Sequence, residues 1–180
     1  MLSCHHNGQF IEGLPLSPGL QLLKNEHVAL NEQKKDIYDQ ARGLISSLSK
    51  GIYKIEEIID LRDNVLSFFK ELHAHSEKEE EYLFNMMAVH MDRHSGPLVV
   101  MELEHEEAKR LINQFLGNTE HSTDGKETSA AIENCRLIIE AYHVLSSHFM
   151  KEEQVLFPMA ENVLSDDQKE DLWKHVANAS

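Results

Sequence analysis

HSEKEEEYLF at residues 75–84 and HFMKEEQVLF at residues 148–157 are the same phrase written twice, agreeing at His, Lys, Glu, Glu, Leu and Phe. A shorter phrase recurs ahead of each copy: Glu26-His27 within LLKNEHVAL, and Glu104-His105 within VMELEHEEA. The order EH, then HxxxEExxLF, is kept both times. Two helical hairpins that each bring two histidines and one carboxylate to a shared metal site would produce such a repeat. Chance alone gives roughly two HxxxE pairs in a chain of this composition. The chain holds three, His73–Glu77, His75–Glu79 and His148–Glu152, so the pair by itself decides little. Its recurrence inside a longer phrase, behind a repeated EH, carries the argument.

Helical geometry turns the repeat into a site. Residues at i and i+4 lie about 40° apart and one turn along, so His75 with Glu79, and His148 with Glu152, can point into one interior. Glu80 and Glu153 fall at i+5, about 140° round, which favours an outward or supporting role unless the helix bulges. From His27 to Gly51 is 24 residues, and from Gly51 to His75 another 24. Up one helix and down the next therefore returns His75 to the level of His27.

The rest of the chain supports such a bundle. Nearly every stretch has helical rather than alternating periodicity, which predicts an all-α fold: an antiparallel up-down four-helix bundle with a short extra C-terminal helix. Residues 1–17 form a lead-in, expected to be flexible, and 18–180 the bundle. Ser17-Pro18 offers an N-cap with proline at the first helical position, and the first helix ends near Ser49. The second should give out near His90 to His94, and Ser95-Gly96-Pro97 starts the third, which reaches about Gly117. Polar residues 118–128 read as a loop. The fourth helix begins near Ser129, with Pro158 ending or kinking it. Ser165 and Gln168 make a capping box for the last helix, from about residue 165.

Composition narrows the function. At 180 residues and 41% hydrophobic the chain suits one domain, and a net charge of −14 disfavours nucleic acid or an anionic membrane as partner. No apolar run approaches the roughly 20 residues that span a bilayer. No basic segment followed by an apolar one opens the chain, and Cys4 and Cys135 make no disulfide framework, so a cytoplasmic location is expected. Four imidazoles and two carboxylates suit iron, with manganese or zinc also allowed. A structural zinc site favours a closed set of four ligands, often including cysteine, and neither cysteine lies in a motif.

In this order, EH, HxxxEExxLF, EH and HxxxEExxLFP resemble the hemerythrin-like (HHE cation-binding) family of non-haem di-iron four-helix bundles, over roughly residues 18–160. The resemblance implies that His27, His75, Glu79, His105, His148 and Glu152 ligate two iron ions, oxo-linked, with Glu79 and Glu152 bridging. Oxygen-carrying hemerythrins place a further histidine where this chain has Lys109, and an aspartate where it has Glu153. The first motif has Asn85 where LFP has proline. The six-ligand pattern is closer to bacterial HHE proteins, iron-centre repair proteins and iron-sensing domains. Ferritin-like di-iron proteins use ExxH instead, a pattern these motifs do not follow.

The expected function is an open, carboxylate-bridged site that binds oxygen or nitric oxide or handles iron, in sensing, stress response or iron homeostasis. The alternative is a redox-active protein that turns over nitric oxide or peroxide, or donates iron in repair to a protein partner that receives iron or electrons. No general base stands out beside the motifs, which favours binding over a named enzyme reaction.

Among the other histidines, His73 should face outward and His143 lie off the ligand face, while His90 is about 16 Å beyond Glu79 along the axis. His94, His121 and His175 fall in or near loops and the last helix, and Cys4-His5-His6 lies in the lead-in. Cys135 is expected to be buried. Tyr38, Tyr53, Tyr82 and Tyr142 are candidates to line the pocket or to pack in the core. Leu83, Phe84, Leu156 and Phe157 are expected to form a dry wall beside the metals.

Overall fold

The computed structural model describes residues 15–120 and 128–178. Cys4-His5-His6, His121, most of the lead-in and most of the polar loop before the fourth helix lie outside them.

Helix α1 spans Pro18–Ser49, with a buried stripe at three- and four-residue intervals: Leu20, Leu23, His27, Leu30, Lys34, Ile37, Ala41, Leu44 and Leu48. Pro18 opens it as expected, but Ser17 makes no side-chain cap. Instead the Ser17 amide donates to Glu161 at 2.7 Å, which ties the start of α1 to the end of the fourth helix. Gly51, at φ 68°, turns the chain in the left-handed region that glycine adopts without cost. Helix α2 begins at Ile55 and runs α-helically to Lys78, then through a π-helical turn, Glu79–Leu83, to Phe84–Met87. It ends a turn earlier than expected. Gly96, at φ 71°, precedes Pro97 at the start of α3, Pro97–Thr119.

Helix α4 runs from Thr128 to Lys151, through a second π-helical turn, Glu152–Leu156, and on to Val163. Pro158 was expected to end or kink it. It does not end it, because it stands in the first turn after the wide one, where a missing N–H costs little. Ser165 and Gln168 exchange the expected capping bonds at the start of α5, Asp166–Asn178.

Helices α1 to α4 close a ring in which each packs on its sequence neighbour and α1 also packs on α4. Helix α5 lies across α1 at Gly19, where a Cβ would come within 3.0 Å of Leu172 and of the Trp173 backbone. Among the described residues there is no strand. The apolar core falls into two clusters. One gathers Leu30, Leu44, Phe68, Leu111, Phe115 and Ile138, and the other Leu20, Leu83, Phe84, Met87, Phe157 and Leu172. Each helix stripe passes from one cluster to the other through a single inward histidine: His27, His75, His105 and His148. A polar layer thus crosses the bundle between two dry cores.

Candidate metal centre

All six expected residues meet in that layer, and each is buried, Glu79 and Glu152 to 0% exposure. They form two overlapping groups whose ligand atoms lie within 4.8 Å of one another: His27, His75, Glu79 and Glu152, and Glu79, His105, His148 and Glu152. Both carboxylates belong to both groups. Each presents one oxygen to a histidine of either hairpin. Glu79 Oε1 lies 3.5 Å from His75 Nε2, and its Oε2 3.6 Å from His105 Nε2. Glu152 Oε2 lies 3.3 Å from His27 Nε2, and its Oε1 3.0 Å from His148 Nε2. The last approach is close enough for a hydrogen bond but lacks its alignment, and none of the four carboxylate oxygens accepts one.

The outward ring nitrogens explain the inward ones. His75 Nδ1 meets Glu26 at 2.8 Å, and His105 Nδ1 meets Glu80 at 2.7 Å. His27 Nδ1 meets Glu153 at 3.0 Å, and His148 Nδ1 meets Glu104 at 3.3 Å. An ionised carboxylate only accepts, so each Nδ1 carries the hydrogen, and in a neutral ring the Nε2 lone pair is left facing inward. His27 Nε2 and His75 Nε2 then face each other at 3.1 Å. Two lone pairs at that distance repel unless a proton or a cation stands between them. A lysine backs every one of these carboxylates: Lys78 on Glu26, Lys151 on Glu104, Lys109 on Glu80 and, at 3.7 Å, Lys24 on Glu153.

Sequence reasoning left the Glu26 and Glu104 contacts unassigned. The signal was present, because the Glu of each EH and the Lys of each HxxKEE are among the repeated residues. Glu80 and Glu153 take the supporting role that was one of their two expected ones. The π-helical turns begin at Glu79 and Glu152, so in each turn the first glutamate faces the layer while the second reaches a histidine of the opposite hairpin.

Protons balance the charge in the layer. Burial pushes the Glu79 carboxyl well above the usual carboxylate range, and the Glu152 charge beside it adds to the rise. Burial also works against a charged Glu152, but His148 and His27 together outweigh it and hold that carboxyl low. Burial lowers His75 and His105, leaving them neutral. Burial acts on His148 in the same direction, yet Glu152 and Glu104 raise it to about 9. The layer therefore draws positive charge, and protons compete there with a metal.

The expected dry wall is in place: Leu83, Phe84, Leu156 and Phe157 are buried, Phe84 stacks on His105, and Phe157 on His27. Phe149, given no role from sequence, lies nearer, stacked on His27 with ring centres 4.3 Å apart. The tyrosine positions favour packing: Tyr38 stacks on Tyr142, and Tyr82 on His175. His73 is exposed beside Glu77, His143 is exposed, and His90 meets Gln168. Cys135 is buried in the core, its thiol pushed up to about 11. No helix among the described residues is long and apolar enough to cross a membrane.

Comparison with known proteins agrees with this geometry. A family model described as the hemerythrin HHE cation binding domain matches residues 19–160. Curated relatives from Salmonella schwarzengrund, Salmonella paratyphi B and Salmonella newport, each named iron-sulfur cluster repair protein YtfE, are 33% identical over 135 residues. The aligned region is 68% of this chain and 60% of each relative, so the chain spans well under two thirds of their length. No solved structure matches. The buried His and Glu groups form a site suited to metal.

Proposed function

The chain belongs to the hemerythrin HHE cation-binding family, and from that premise we propose that it holds two iron ions in a carboxylate-bridged centre and handles iron in a stress response. His27 and His75 would hold one ion, His105 and His148 the other, and Glu79 and Glu152 would bridge both. One observation carries the reading: two fully buried carboxylates, hydrogen-bonded through none of their oxygens, each split between the histidines of two hairpins. Burying such groups without partners costs several kcal/mol, a cost that cations offset.

Six protein ligands shared by two ions leave coordination positions open, and iron bound there would supply redox chemistry and sites for a small ligand such as oxygen or nitric oxide. The chain's own residues do the rest. The four Nδ1–carboxylate contacts fix each imidazole's tautomer and aim. Phe84, Phe149 and Phe157 keep bulk water from the layer. The half-buried Glu26, Glu80, Glu104 and Glu153 link the histidines to Lys78, Lys109, Lys151 and Lys24, of which only Lys78 is buried, so protons displaced by metal have a polar way out at the other three.

The name of the relatives, iron-sulfur cluster repair protein, supports iron-centre repair as the process served, with an iron-sulfur protein as the partner that receives iron. Metal analysis after anaerobic iron loading tests the centre. About two irons per chain, with the absorption of an oxo-bridged diferric pair after oxidation, is expected. One zinc and no such band would replace this reading with a structural metal site. Mixing the loaded protein with an iron-depleted iron-sulfur protein tests the repair role: iron should move to the recipient, and a recipient that stays empty counts against it.

A further inference from the structure

Lys34 occupies a core position of α1, two turns beyond His27 on the same buried stripe, and is 3% exposed. Its ammonium donates to Asn31 Oδ1 at 2.7 Å and stands 4.8 Å from the ring centre of Phe149 and 5.3 Å from that of Tyr142. Among the described residues no carboxylate pairs with it. The other buried lysine, Lys78, shows the contrast, because Glu26 meets it at 2.7 Å. A buried ammonium with no counter-charge is costly. Two aromatic faces and one amide recover part of that cost, and burial pushes the group down to about 8, which still leaves it mostly charged at neutral pH.

The position of this charge gives it a use. Phe149 stacks on His27 at an interplanar angle of 17° and lies 6.1 Å from His75 and 5.8 Å from His148, ring centre to ring centre. A single aromatic ring therefore separates the Lys34 ammonium from the imidazole layer. Among the described residues, no carboxylate pairs with the ammonium to cancel its field across that ring.

We propose that Lys34 makes the centre selective for small anionic ligands over neutral ones of similar size. This inference rests on the reading of an open metal centre given above. A unit charge acting across a protein interior at this remove is worth about tenfold in the affinity of a monovalent anion. It does nothing comparable for an uncharged diatomic.

The probes are azide, titrated into the diferric protein, and nitric oxide, titrated into the diferrous protein. Lys34→Met removes the charge at nearly constant shape, and Lys34→Gln removes it while keeping a donor for Asn31. Lys35→Met makes the same change of net charge at an exposed neighbour, where solvent screens it. Azide should bind about tenfold more weakly to both Lys34 variants and within twofold of wild type to Lys35→Met. Nitric oxide affinity and iron content should stay within twofold throughout. Unchanged azide affinity in both Lys34 variants overturns the inference, and so does equal weakening of azide and nitric oxide, which would mark a packing role. If wild-type protein binds neither probe, the open-centre reading itself has failed. If it binds both and the Lys34 variants match it, only the present inference has.

Discussion

At His75 the working face of the ring is chosen by Glu26, a residue on another helix whose own charge is held by Lys78. The arrangement recurs at each of the four histidines, which makes these carboxylates the residues most worth changing. Glu26→Gln should weaken iron binding about 10- to 100-fold in competition with a chelator while leaving the saturating stoichiometry at two. His75→Ala and His148→Ala should lose metal outright. His73→Ala, exposed on the opposite face, should keep it, and equal losses in all three would contradict the facing geometry. Glu80 carries a pH signature. Its hydrogen bond from His105 holds its carboxyl at about 2, below the ordinary 4.5. Its contribution to stability is therefore complete above pH 4.5 and lost as pH falls towards 2. In the metal-free protein Glu80→Gln should flatten the fall of the urea midpoint across that window. The six inward residues were legible because they recur at helical spacing. Glu26 and Glu104 recur too, but spacing within one helix says nothing of a bond that crosses to another. Phe149 gave no signal at all, since an apolar residue beside His148 reads as ordinary core.

The four long helices were legible from Gly51, Gly96-Pro97 and the apolar stripes, because turns and stripes are written in local residue types. The π-helical turns were not. A reading at 3.6 residues per turn admits a bulge only as an exception, and the missing N–H of Pro158 read as a stop or a kink. The two copies of the motif offer an internal control, because Glu79–Leu83 forms the same wide turn with Asn85 where the other copy has Pro158. The turn therefore does not depend on proline. Pro158→Asn should keep the iron stoichiometry and shift the thermal midpoint by no more than a few degrees. Loss of metal in that variant would assign the turn to the proline after all.

Across the whole molecule, the polar layer separates two apolar cores that would otherwise be continuous. Stripped of cations it leaves buried carboxylates and imidazoles facing one another, so removal of metal by chelation should lower the thermal midpoint by about 10 °C or more. An apo form that melts with the loaded one would place the metal elsewhere. The layer also has an unusual ownership. Each hairpin supplies both histidines of one group but only one of the two carboxylates, and every carboxylate serves both groups. No half of the chain carries a finished pocket, so an injury to either hairpin is felt by both groups. A metal that needs both carboxylates should be retained only by chains whose two halves are docked. Occupancy thus reports on assembly as much as on supply.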